Sequence, residues 1–175
     1  MKTLSLAALT LSSVLFSCSD SVPKLNPNLV NASKGGSISS QYGTLEIPGG
    51  ALDKNTEIMV KDEPDSVSGT PPTGVKKVLF TTQSIMVGGI DANSVEDNTL
   101  TLNKPLVWKS KWKVENLQGI PENLALFQVK GGQWVRFANV DIDVENKWCK
   151  IELEGAIDKS LILVLGLVQS KGSND

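Results

Sequence analysis

The segment GTLEIPGGALDKNTEI, Gly43–Ile58, decides the fold. Leu45 and Ile47 alternate with Thr44 and Glu46, so the segment starts as a strand with one apolar and one wet face. Pro48 then fixes φ and withholds a backbone donor, which ends ladder pairing at that point. Gly49 and Gly50 let the chain reverse at little steric cost, and Ala51 and Leu52 can drop back onto a core. The interruption is expected to be a corner between two strands.

The same grammar continues on both sides. From Gly35 onward the chain is a series of short β-branched segments divided by Gly, Pro, Asn and Asp, without helical apolar spacing over more than two turns. Strands are expected at 37–40, 44–47, 57–61, 78–87, 106–114, 124–130, 133–137, 140–144, 147–152 and 161–168. Gly131-Gly132 between LALFQVK and QWVRFA is a two-residue hairpin signal, and Glu145-Asn146 between VDIDV and KWCKIE is a weaker one. The four segments around these turns are expected to form one antiparallel meander. The run LILVLGLV, 161–168, is apolar on both faces, as in a central strand covered on both sides, with a buried helix as the alternative. The fold class is all-β: an antiparallel β-sandwich in a single domain.

At 175 residues the chain is long enough for one domain with a sizeable core. A formal charge of −2 gives no support to nucleic acid as a partner. The chain has no His, the residue most used for acid–base work and metal ligation near neutral pH.

The amino terminus supplies an address. Met1-Lys2-Thr3 leads into a nearly unbroken apolar run from Leu4 to Phe16, which has the layout of a secretory signal and is shorter than the roughly 18 apolar residues of a spanning helix. Leu15-Phe16-Ser17-Cys18 resembles the bacterial lipoprotein box, in which the Cys thiol receives lipid and the signal is cut just before it. Phe16 departs from the small or aliphatic residue usual at its position, and cleavage after Ser17-Cys18-Ser19 is the rival reading. The expected organisation is a signal over 1–17, a lipidated Cys18 and flexible tether over 18–34, the domain over 35–168, and a polar tail over 169–175. The membrane is then a partner through acyl chains on Cys18. Ser19 directly after Cys18 follows the enteric pattern for the outer membrane, with the periplasmic or surface face left open. Cys149 alternates with Ile151 and Leu153 and is expected to be a small buried hydrophobe.

GGSISSQYGTLEIPGGALDKNTEIMV, Gly35–Val60, resembles the opening of the ZU-five domain, the β-rich module of ankyrins, netrin receptors and many bacterial surface proteins. The matching positions are Gly35, Gly36, Leu45, Ile47, Pro48, Gly50, Ala51, Leu52, Thr56 and Ile58. NKPLVWKSKW, LALFQVKGGQWVRF and the closing strand resemble bacterial relatives more loosely. The resemblance implies a scaffold or interaction module. Some animal relatives cut themselves at a His-Phe-Ser; this chain has Ile157-Asp158-Lys159-Ser160 in that region, so self-cleavage does not carry over.

Two charged combs stand out. In PLVWKSKWKV, Leu106, Trp108, Ser110 and Trp112 share one face while Lys109, Lys111 and Lys113 share the other. Such a comb serves as a solvated face that discourages edge pairing, and the three lysines are also the candidate surface for an anionic partner such as lipid headgroups or acidic glycan. In DIDVEN, Asp141, Asp143 and Glu145 share a face, and a pairing of this acid row with the lysines across neighbouring strands is one arrangement to test. No Gly turn wraps these carboxylates into a Ca²⁺ loop, and no metal or other cofactor is expected. Asp62, Glu63 and Asp65 fall in a turn-rich stretch expected to be exposed. No Gly-x-Ser-x-Gly and no phosphate-cradling Gly loop occurs. The function expected is a non-catalytic, lipid-anchored envelope module with a protein or glycan partner; the alternative is an enzyme or enzyme subunit acting on envelope polymers.

Overall fold

A computed structural model describes residues 28–88 and 98–169. The signal, Cys18 and the remaining termini lie outside the described residues. The chain forms β1 (Leu29–Val30), β2 (Gly35–Ser39), β3 (Gly43–Pro48), β4 (Thr56–Asp62), β5 (Val75–Val87), β6 (Thr99–Thr101), β7 (Leu106–Lys111), β8 (Leu124–Lys130), β9 (Gln133–Arg136), β10 (Asp141–Asp143), β11 (Trp148–Leu153), β12 (Ala156–Asp158) and β13 (Ser160–Val168). A six-stranded sheet, β1-β4-β5-β13-β8-β9, packs on a five-stranded sheet, β10-β11-β7-β3-β2, and β12 pairs with β6. All the pairings between these strands are antiparallel, so the molecule is the β-sandwich expected from its strand grammar.

The core follows from the two-residue period. Leu45 and Ile47 of β3, Leu106 and Trp108 of β7, and Cys149, Ile151 and Leu153 of β11 face Ile58 of β4, Ile85 of β5, Leu124 and Leu126 of β8, and the odd-numbered leucines 161 to 167 of β13. Each such aliphatic side chain contributes about 1.5–3 kcal/mol when fully buried. Gly43 is required by this core, because a Cβ there would come within 2.2 Å of the Trp108 ring.

The corner after Pro48 carries the chain from the five-stranded to the six-stranded sheet. Gly50 turns with φ 78°, the Ala51 N–H bonds back to the Pro48 carbonyl at 3.1 Å, and Ala51 and Leu52 are buried. β13 lies between β5 and β8 as a central strand covered on both faces. Its outer cover is a second small core of Ala125, Phe127 and Val164 under Trp134, whose ring centroid is 5.1 Å from that of Phe127.

Two expectations fail. Gly131-Gly132 and the turn at Glu145-Asn146 do close hairpins, β8–β9 and β10–β11, but the hairpins belong to different sheets and form no single meander. The connection 137–140 crosses the sandwich because Phe137 and Val140 pack against the main core. The folded part also starts before Gly35. Leu29–Val30 pairs with β4, Val30 is buried, and the Asn31 carboxamide oxygen accepts the N–H groups of Ser33 at 3.0 Å and Lys34 at 3.1 Å, so a stretch rich in turn formers is a docked edge strand and turn.

Candidate binding face

The outer face of the five-stranded sheet collects the side chains that the core rejects. Register places Ser39, Thr44, Lys109, Lys150 and Asp141 in one row across all five strands. The next row holds Lys111, Trp148 and Asp143. Lys109 and Lys150 are direct neighbours, a repulsive arrangement that carboxylates on the flanking strands offset. Glu46 accepts from Lys109 at 2.5 Å, and Asp141 lies 3.3 Å from Lys150. Both pairs are partly exposed, so each contributes at most about 1 kcal/mol.

The three comb lysines have different surroundings. Lys109 also lies 5.7 Å from the Trp148 ring centroid, and Lys113, beyond the end of β7, lies 5.6 Å from the Tyr42 ring. Lys111 is exposed and has no carboxylate partner among the described residues. Lys109, Lys111, Trp148, Thr44, Glu46 and Asn146 line an open depression of about 420 Å³, within the ~300–1,000 Å³ range of small-molecule sites. The arrangement combines an indole, an unpaired cation, and hydroxyl, amide and carboxylate groups.

The acid row does not pair with the lysine comb. β11 lies between β10 and β7, so Asp141 meets Lys150 instead of a comb lysine. Asp143 closes its own hairpin: the backbone N–H and the side-chain amide of Asn146 each donate to it at 2.8 Å, and these bonds hold its carboxyl below the ordinary value. The positive φ in that turn is at Lys147. Among the described residues, no group of three or more Cys, Asp or Glu side chains is placed to hold a metal ion.

The carboxylates of KDEPDS serve the scaffold. Asp62 accepts from the Ser40 hydroxyl at 2.8 Å and the Gln41 N–H at 2.7 Å, which fastens the β2–β3 turn to the opposite sheet. Glu63 accepts from the Ser84 hydroxyl at 2.6 Å, and Asp65 accepts from the Phe80 N–H at 3.2 Å. Cys149 is fully buried, and burial, assisted by the nearby Asp141 charge, pushes its thiol up to about 12. Trp148 and Lys150 belong to this outer face and were not singled out by sequence reasoning. Their signal was the alternation of Trp148, Lys150 and Glu152 with Cys149, Ile151 and Leu153.

No family model matches this chain, and no curated protein is significantly similar to it.

Proposed function

We propose that this chain is a non-catalytic binding module, held on the bacterial envelope by acyl chains on Cys18 and presenting the outer face of its five-stranded sheet to an anionic glycan. The observation that carries this reading is the unpaired Lys111 beside Trp148 in a depression edged by Thr44, Glu46 and Asn146. A sugar ring has apolar C–H faces that suit an indole, hydroxyls that suit Thr, Asn and Glu, and, where acidic, a carboxylate that suits the free ammonium. A lipid headgroup layer fits less well, because a flat layer would cover the whole face, Asp141 and Asp143 included, whereas a sugar ring enters only the depression beside Lys111.

The anchor rests on the lipoprotein box ending at Cys18, and stable attachment needs two or more acyl chains. Ser19 supports an outer-membrane destination, and the ZU-five-like pattern in 35–60 supports a scaffold or interaction role. Mass spectrometry of the native protein is expected to find a lipid thioether at a Cys18 amino terminus; an unmodified thiol there refutes the anchor. Binding is tested with the full-length protein in detergent against polygalacturonate and neutral dextran. Retention on polygalacturonate alone, lost in Lys111→Glu, supports the reading. Equal behaviour toward both polymers, or indifference to Lys111→Glu, refutes the site. Release of new reducing ends favours the enzymatic alternative.

A further inference from the structure

The opposite sheet carries a feature that neither the fold nor the glycan face uses. In β5, Thr82 pairs with Val164 and Lys77 pairs with Gly166, so Val78, Leu79, Phe80 and Thr81 stand opposite Leu165 alone. The surplus bulges outward. Val78 and Thr81 are buried while Leu79 and Phe80 are 46% and 58% exposed. Phe80 has φ 60°, a conformation that is a true outlier for a bulky side chain. Strain of this kind persists only where the surroundings enforce it, and it collects at functional positions.

The surroundings do enforce it. Both Asp65 carboxylate oxygens accept the Phe80 N–H, at 3.2 and 3.3 Å, from the 3-10 turn Asp65–Ser68. Lys77 secures that turn by donating to the Asp65 carbonyl and to the Ser68 hydroxyl at 2.8 Å. On the other side, Asn116 in the 3-10 turn Val114–Asn116 donates to the Leu79 carbonyl at 3.4 Å, and Thr81 donates to Val78 at 2.7 Å. The flanking turns expose apolar residues of their own, Val67 and Val114. Beside the bulge runs a groove of about 380 Å³ with Val75, Leu79 and Leu167 among its apolar walls and Lys76, Asn116 and Gln118 among its polar ones. Lys76 is exposed and has no carboxylate partner among the described residues.

We infer that the Leu79–Phe80 bulge and its groove form a preorganised docking site for an extended segment of another protein, one that carries an apolar side chain next to a carboxylate. The apolar side chain fills the groove against Val75, Leu79 and Leu167, the carboxylate meets Lys76, and the segment continues over the exposed Phe80 ring beside the groove. A rigid aromatic presented without ordering cost is the kind of group that dominates interface energetics.

The test uses the full-length protein in detergent, with backbone amide NMR. The probe is an end-blocked Glu-Leu-Asp-Phe-Glu peptide, with a Lys-Leu-Lys-Phe-Lys counterpart and anionic phosphatidylglycerol vesicles as competitors. The expected result is saturable shifts at Lys76, Leu79, Phe80, Asn116 and Gln118 with the acidic peptide only, reduced at least tenfold in affinity by Phe80→Ala. Lys76→Glu is expected to reverse the preference between the peptides. Phe80→Gly, which accepts the positive φ, is expected to raise the melting temperature while abolishing binding. That split distinguishes a docking residue from a structural one. Absence of shifts at millimolar peptide, equal response to both peptides, a response to vesicles instead, or full binding by Phe80→Gly overturns the inference. The glycan assay does not depend on any of these outcomes.

Discussion

The two outer faces of the sandwich each carry a half-buried tryptophan and use it in opposite ways. On the six-stranded sheet, Trp134 lies over Phe127, Ala125 and Val164, donates its indole N–H to the Ser68 carbonyl at 2.5 Å, and occupies room that Gly166 leaves by having no side chain. On the five-stranded sheet, Trp148 stands among Lys109, Lys111 and Asp143, with no apolar cluster around it among the described residues. The first arrangement is that of a core residue. The second leaves an aromatic face among polar groups, which suits the proposed binding role. Residue type alone does not separate the two; the neighbours do.

Breaking the structural face is expected to have the largest effect. Trp134→Ala removes the cover of the small outer core and should cost about 3 kcal/mol in urea unfolding, with no change in glycan retention. Gly43→Ala should cost about 2 kcal/mol, because the new methyl meets the fully buried Trp108 ring. Asp62→Ala should cost about 1 kcal/mol by releasing the β2–β3 turn, and hydrogen exchange is expected to rise at Gln41, one of the N–H groups that the carboxylate holds.

Cys149 supplies a pH test of the shared core. Its thiol is raised from an ordinary 9.0 to about 12 in the folded state. A raised folded value means that the stabilisation is complete below the unfolded value and is lost as pH rises through the folded one. Stability is therefore expected to fall between about pH 9 and 12, with a shallower fall in Cys149→Ala. Thiol reagents should react only after unfolding.

Much of this architecture was legible in the sequence because the period of two acts locally. Leu45 and Ile47, Trp108 and Ser110, and Cys149 and Ile151 point inward where alternation places them. Alternation identifies the face of a strand; it does not identify the sheet. That is why β8–β9 and β10–β11 look like one meander in sequence and part company in space. Very short strands carry too few residues for a period, so β1, β6 and β12 had no signal. The lysine comb was legible as a row, but the Lys109–Glu46 pair joins positions far apart in the chain and the combs are separated by a strand that no local pattern inserts between them. The Phe80 bulge was hidden for a related reason, because the strand expected over 78–87 starts inside the excess, which appears only against the partner β13.

The central claim is that Trp148 on the five-stranded sheet serves binding while Trp134 on the six-stranded sheet serves stability. Paired urea titration and polygalacturonate binding of Trp148→Ala test it most directly. Unfolding within about 0.5 kcal/mol of the parent chain together with lost binding is the predicted result. A destabilisation matching that of Trp134→Ala, or undiminished binding, contradicts it.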